Sequence, residues 1–507
     1  MNSVATLPRL HITADGSALT AAAYRGLSDV RVQQRLSLPT LCELVFADPV
    51  EFLDLAARLT PGVRLLVEAD DQAVPLFVGE VTAVEWVYGP AGQRELRVRG
   101  YDLLHRLRKR QPVRTHVSVT LAELAADMAT DIGLTVDAAD PGPLWPRLLQ
   151  HRHSDLHLLA DLAARAGLYL TLRENVLHLL TLAGIGDPLP LTLGESLLEA
   201  RIDVSSEPAT RSVAVQSWNP REAVAHAGRA KTPAIGRTPD AFTAPDRVGG
   251  SGQRVLAGQA LQDDRHAEAL AQAELDRYAA YEMTLWGVAA GDAQLRPGAR
   301  VVIDGIAGAP AGPYVLTEVT HTINTAHGFV SELSTAPPPP PTDLAAPAAA
   351  VLGIVTQVND PLAQGRVRAS LPAYGAMETE WMQVLSLGAG RSKGLMILPD
   401  VGDRVLVLLP SGDPGDGVIL GGLYGPEAMP DSGVEGGATQ RHTWLTAGGH
   451  RIRLDDAGQT IRVEDSRGSY VELSPQKVLV HATTRLELEA PGQAVVIRGA
   501  TIDFERA

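Results

Sequence analysis

Imidazole and carboxylate groups crowd one short segment. In HRHSDLHLLADLAARAG, residues 151–167, His151, His153, Asp155 and His157 fall within seven positions. Neutral imidazoles four residues apart on a helix, as His153 and His157 would be, clamp a transition metal when a third donor converges on them. A second reading accounts for more of the residues. Ser154 is a good N-cap, Asp155 complements the helix dipole, Leu156, Leu159, Ala160 and Ala163 recur at helical spacing, and Gly167 stops the helix. With no HExxH, no further ligand cluster and a single cysteine, Cys42 in LCELVF, the pattern predicts a scaffold helix with no metal and no cofactor.

Other candidate chemistry is equally sparse. GAGRSKG, residues 388–394, is glycine-rich but lacks the GK[ST] ending and following helix of a phosphate loop, so it reads as a turn. Glu378 and Glu380 flank Thr379 as close carboxylates and are expected to face solvent. No Asp, Glu or Arg set clusters as in a polysaccharide lyase or peptidoglycan hydrolase, and no catalytic residue is assigned. Arg366 and Arg368 share a strand, but Tyr374, Trp381 and Tyr424 are too scattered for a base-stacking platform. A net charge of −15 also argues against a general grip on phosphate backbones, so nucleic acid is not an expected partner.

The elements that would position such residues are mostly strands. The chain has 507 residues, enough for three or four domains, and 48 glycines and 35 prolines against 16 Phe and Tyr indicate many turns between short aliphatic strands. Neither a signal-peptide pattern nor a long apolar span is present, which predicts cytoplasmic synthesis, solubility and any exit by a route that reads no signal peptide. The prolines of STAPPPPPTDLAAPAAA, residues 334–350, mark a spacer. Before it, strand-like RLLVEA (64–69), FVGEVTAVEWV (77–87) and ELRVRGY (95–101) alternate with helical patterns at 120–131, 154–166 and 263–281, while 221–255 reads as long loops.

This half contains a repeat. LTPGVRLLVEA at 59–69 is echoed by LRPGARVVIDG at 295–305, Glu80-Val81-Thr82 by Glu318-Val319-Thr320, and a third strand closes each unit, QRELRVRG and FVSELSTA. Pro-Gly supplies a tight turn and period-two strands follow, so two related β-barrels are expected. After the spacer, five short strands drawn at 353–358, 366–371, 381–387, 395–409 broken at Pro399-Asp400, and 418–424 fit a small OB barrel.

The C-terminus is the most periodic part. Ile452/Leu454, Ile461/Val463, Val471/Leu473, Val478/Val480, Leu486/Leu488, Val495/Ile497 and Ile502/Phe504 pair apolar positions two apart, with only Leu479 and Val496 apolar between them. One chain would complete too few coils of a β-helix and would leave adhesive edges; three chains about one axis share a core and pair those edges. A homotrimer follows, with the first twelve of these residues as its core.

Taken in order, the repeated hub half, the barrel opened by GIVTQVNDPLAQGRVRASLP and closed by GVILGGLYG, and the terminal prism resemble the VgrG-like spike proteins of contractile injection systems. HRHSDLHLLADLAARAGLYLTL and YVLTEVTHTINTAHGFVSEL resemble phage tail proteins of the late-control D family. The resemblance implies a mainly β fold with some α: a hub at 1–335, a linker at 336–350, an OB barrel at 351–430 and a trimeric triple-stranded β-helix at 431–507. It further implies a non-enzymatic spike that links a hexameric tube ring and baseplate proteins to a piercing tip in an extracellular phage-tail-like or type VI-like particle, and is ejected with it. A PAAR-type cap would bind Ile502 and Phe504, and a cargo effector would be a further partner. A β-helix polysaccharide- or peptidoglycan-degrading enzyme and a nucleic-acid-binding OB protein are the alternatives.

Overall fold

A computed structural model describes residues 7–219, 224–237, 243–259, 261–308, 310–339, 348–410, 415, 417–425 and 428–505. The chain divides into two compact units, Met1–Gly421 and Gly422–Ala507. Part of the proline-rich linker and the last two residues lie outside the described positions.

The backbone of the first unit is, among the described residues, an eleven-stranded sheet centred on the hairpin Leu27–Arg35 and Leu41–Ala47. On one side follow Arg94–Tyr101, Phe77–Tyr88, Arg64–Ala69, Leu10–Ala14 and Ser17–Ala18; on the other Glu318–Asn324, Gly328–Ser334, Met283–Ala290 and Leu197–Val204. Each side has its own apolar core. Phe46, Leu65, Val67, Leu96 and Val98 belong to the first, and Leu285, Val301, Ile303, Val319 and Leu333 to the second.

The sequence repeat is a structural repeat. In the first copy the Gly62 N–H donates to Val81 O at 2.8 Å and the Val81 N–H to Val63 O at 2.8 Å; in the second, the Gly298 N–H donates to Leu316 O at 2.7 Å and the Leu316 N–H to Ala299 O at 3.0 Å. Gly62 and Gly298 adopt φ of 97° and 81°, a conformation that favours glycine after proline. The copies differ in the next strand. Phe77–Tyr88 runs unbroken, so Glu80 pairs with both Arg64 and Tyr101, whereas Gly312–Val315 and Glu318–Asn324 are separate, Val315 facing Arg300 and Glu318 facing Ser334.

Among the described residues six α-helices accompany the strands: α1 Ala21–Gly26, α2 Phe52–Arg58, α3 Leu104–Arg108, α4 Leu121–Thr130, α5 Asp155–Arg165 and α6 Asp264–Tyr281. The three longer ones match the helical patterns. Thr120 and Glu123 form a capping box on α4, and Ser154 and Asp263 cap α5 and α6. α4 and α5 bury their leucines in a separate core with Leu104, Leu107 and Trp145. The expectation of loops at 221–255 is corrected at its two ends, where Val224–Ala230 and Gln253–Gln259 flank Ser212–Asn219 in a three-stranded sheet covered by α6; the described residues between them, 231–237 and 243–252, hold no strand. Gly228 permits this close packing, since a Cβ there would stand 2.2 Å from the Ala267 backbone.

The OB barrel comprises Ala349–Gln357, Arg368–Leu371, Met377–Glu378, Gln383–Val384, Arg404–Leu409 and Val418–Leu423. Paired Val367 and Met382 backbone hydrogen bonds of 3.0 and 2.9 Å bring its two ends together around Val355, Leu371, Val405, Val407 and Ile419. The fourth strand breaks at Pro399-Asp400 as drawn, since Pro399 cannot donate to a ladder, but only its second part forms, as Arg404–Leu409, and residues 395–398 are not strand.

In the second unit, Arg441–Leu445, Arg451–Asp455, Thr460–Glu464, Tyr470–Leu473 and Val478–His481 form an antiparallel meander. Within the chain, residues 482–505 have no ladder partner.

Candidate functional site

The imidazole segment resolves into scaffold. The Ser154 hydroxyl accepts the His157 N–H at 3.3 Å, as a cap should. Asp155 does more than complement a dipole: it is fully buried, with Arg110 at 2.8 Å, Arg114 at 3.4 Å and Gln150 Nε2 at 2.8 Å. His151 leaves the segment and meets the Tyr374 ring of the OB barrel at 5.3 Å, while His153 and His157 stack at 4.6 Å. Partial burial holds the pKa values of His151 and His153 below the ordinary imidazole range. Among the described residues no group of three or more His, Cys, Asp or Glu side chains is placed to hold a metal ion.

The charged groups of the OB barrel are likewise committed. Asp360 grips Arg366 at 2.7 Å, which holds its carboxyl well below the usual range. Arg368 lies 3.5 Å from Glu378 and 3.6 Å from Glu380, with its guanidinium 5.1 Å from the Trp381 ring. Glu380 does not simply face solvent, as expected, but pairs at 2.5 Å with Arg147, whose second nitrogen donates to Glu378 O at 2.7 Å. Thr115 Oγ1 adds a 3.7 Å contact to Met377 Sδ. These residues fasten the hub to the barrel, a connection between positions 233 apart in the chain that local sequence patterns could not signal.

A different chemistry is presented by the C-terminal sheet. Ladder pairing aligns Trp444, Ile452, Val463, Val471 and Val480 in one row and His442, Leu454, Ile461, Leu473 and Val478 in the next. All ten are on one face, because successive side chains of a strand point to opposite sides. The apolar members of this face, from Ile452 to Val480, are exposed to solvent in the single chain, Ile461 by 45% and Val463 by 47%. The opposite face is charged and partly paired: Arg462 pairs with Glu464 at 3.1 Å and Glu472 at 3.3 Å and lies 3.6 Å over the Tyr470 ring, while the Nε atoms of Arg451 and Arg453 have no hydrogen-bond partner. Arg441 similarly binds Asp431 at 3.1 Å and Glu435. Several charged residues are thus paired with one another while aliphatic ones face water, the reverse of a monomeric sheet. Leu479 falls on the charged face, half-buried.

The remaining predicted residues, Leu486, Leu488, Val495, Ile497, Ile502 and Phe504, are exposed too, Phe504 by 92%. Trp444, whose strand the sequence reading missed, extends the face by one strand.

Comparison with known proteins places these features. A family model described as the phage tail baseplate hub (GPD) matches residues 33–327, and one described as the type VI secretion system/phage-baseplate injector OB domain matches residues 351–424. Among solved structures, the Escherichia coli c3393 protein, a component of the type VI secretion system with structural similarity to T4 tail proteins gp27 and gp5, is 12% identical, covering 82% of this chain and 99% of its own, with a TM-score of 0.52. A half-lidded Francisella PdpA-VgrG complex is 9% identical, with 93% and 87% coverage and a TM-score of 0.55. These likenesses concern the fold. No curated protein matches the chain.

Proposed function

Because the chain belongs to the phage tail baseplate hub (GPD) family, we propose that it is the trimeric hub and spike of a contractile injection particle and works mechanically, without catalysis. The observation that carries this reading is the uncovered aliphatic face at 452–480 on the reverse of a charged face. Three copies would bury those faces against one another, and the edges of residues 482–505 would pair between chains, giving a stiff β-helix. Residues 1–335 would be the hub, 351–430 the barrel and 431–507 the spike.

Two structural repeats per chain, three chains per particle, make six similar surfaces, a match for a hexameric tube ring among the baseplate proteins. Ile502 and Phe504, both exposed in the single chain, would seat a PAAR-type cap. The VgrG fold solved in a complex with PdpA supports reading a further protein partner, a cargo effector, for this chain. Ejection of the spike would pierce the target envelope.

Gold-labelled antibody against the chain, applied to purified particles, should mark one end of each tube in electron micrographs; labelling along the tube, or none on intact particles, would exclude the hub role. Phe504→Asp should abolish capping and leave the trimer intact, as the proposed core residues from Ile452 to Ile497 are unchanged. Cap recovery at wild-type strength by that variant would remove Phe504 from the tip.

A further inference from the structure

The OB barrel carries two apolar surfaces that its own chain leaves open. The first is an arm. Residues 385–398 fold back on themselves through the Gly390 and Lys393 bridge, and the Leu395 N–H donates to Leu387 O at 3.0 Å. Along it Leu387 is 76% exposed and Met396 88%, with Ile397 and Leu398 also exposed beside Leu362. A turn built only to connect two strands would not present this much aliphatic surface to water.

The second is a wall. On the strand Ala349–Gln357, Leu352 and Ile354 point out of the barrel and are exposed, alternating with buried Gly353 and Val355. The neighbouring strand continues the surface, Leu406 opposite Leu352 and Leu408 opposite Ala350. A barrel exterior in contact with solvent carries polar residues at such positions.

The charges around the two surfaces are complementary. Arg391 and Lys393, at the arm's tip, are exposed and have no acidic partner among the described residues. At one end of the wall Asp400 and Asp403 are exposed and have no cationic partner among those residues, outnumbering the single exposed cation there, Arg404 opposite Ile354, and Asp403 is fixed there by the Val355 N–H donating to its carbonyl at 2.9 Å. Arm and wall are different surfaces of one module, so a contact between them in separate chains is heterologous, and with three chains held about one axis it closes into a ring instead of running on as a filament.

We propose that the arm of one chain lies on the Leu352–Ile354 wall of a second copy of this chain, closing a ring of three OB barrels, with Arg391 and Lys393 set against the neighbour's Asp400 and Asp403. This rests on the trimeric reading above and adds to it a contact outside the spike. A foreign partner would have to cover arm and wall separately, whereas one rotation of the same chain covers both.

Cysteine cross-linking of the full-length protein tests the contact. The native Cys42 is fully buried and its thiol pKa is pushed far up by that burial, so it does not compete. Native mass is measured before oxidant is added. Mild oxidation of the double variant Leu352→Cys/Met396→Cys should then yield covalent dimers and trimers on a non-reducing gel, while each single variant stays as single chains. Arg391→Glu/Lys393→Glu added to the double variant should lower the yield about threefold, with recovery when Asp400→Lys/Asp403→Lys is also present. A double variant that has the mass of three chains yet runs as single chains after oxidation would overturn the ring while leaving the trimer. A native mass of one chain would overturn the trimeric reading, and the ring with it.

Discussion

Two strands show the same alternation and opposite outcomes. In Arg94–Tyr101 the period-two residues Leu96 and Val98 are fully buried under the hub's own helix and strands, whereas in Thr460–Glu464 the equivalent Ile461 and Val463 lie nearly half exposed. Alternation therefore tells which residues share a face, and it does not tell whether the same chain covers that face. In the hub, α2 and the neighbouring strands supply the cover. In the C-terminal unit no second layer exists among the described residues, and the proposed cover is other copies of the chain. Burial of one Val, Leu or Ile contributes about 1.5–3 kcal/mol, so a face of eight such residues strongly favours association.

The sharpest way to break this contrast is to charge the exposed face. Ile461→Asp/Val463→Asp should reduce the native mass from three chains to one, measured by light scattering, without shifting the melting of the hub. Deletion of residues 436–507 should do the same and leave a soluble chain; a deletion that stayed a tight trimer at micromolar concentration would move the main association to the hub. Next in size, Phe46→Ala in the hub core should cost about 3–5 kcal/mol in urea unfolding, and should leave the trimer assembled in the absence of urea. The two substitutions thus separate assembly from folding.

Smaller effects come from the charged groups of the first unit. Asp276 is buried, accepting hydrogen bonds from the Ala234 N–H at 2.6 Å and Gln272 Nε2 at 2.7 Å, and burial pushes its carboxyl up to about 6. That value lies above the unfolded carboxylate, so the folded form takes up its proton first as pH falls. The contribution of this group to stability should therefore rise as pH drops from above 6 towards 4 and level off below. Asp276→Asn should flatten that part of the pH profile of thermal melting. Smallest of all, Arg147→Ala should cost at most about 1 kcal/mol, since both Arg147 and Glu380 are partly exposed; faster limited proteolysis between hub and barrel is the expected readout. Arg64→Glu and Arg300→Glu compare the two repeats directly. Both should weaken docking to tube rings comparably, although Arg300 also ties Ala183 O and Gly184 O at 2.9 and 3.1 Å. If only one repeat mattered, the six-surface reading would fail.

The sequence was most informative where alternation and turn chemistry agreed. The segments 64–69, 77–87 and 95–101 and the three longer helices appear within a residue or two, because Pro-Gly turns, caps and aliphatic periodicity all point the same way. The strands Val224–Ala230 and Gln253–Gln259 were hidden by their small residues, since alanine and glycine on both faces leave no period to read. α3 was hidden by its charges: His105, Arg106 and Arg108 look like a polar loop, yet Leu104 and Leu107 are fully buried and Glu80 binds both His105 and Arg106. The apolar C-terminal face was legible residue by residue, whereas the hub-to-barrel contacts of Arg147 were not, because long-range ion pairs leave no local pattern.

The central claim is that the aliphatic face at 452–480 is covered by two further copies of the chain. Native mass of the full-length protein at micromolar concentration tests it most directly: three times 53.7 kDa is the predicted result, and a stable, soluble single chain of 53.7 kDa would contradict it.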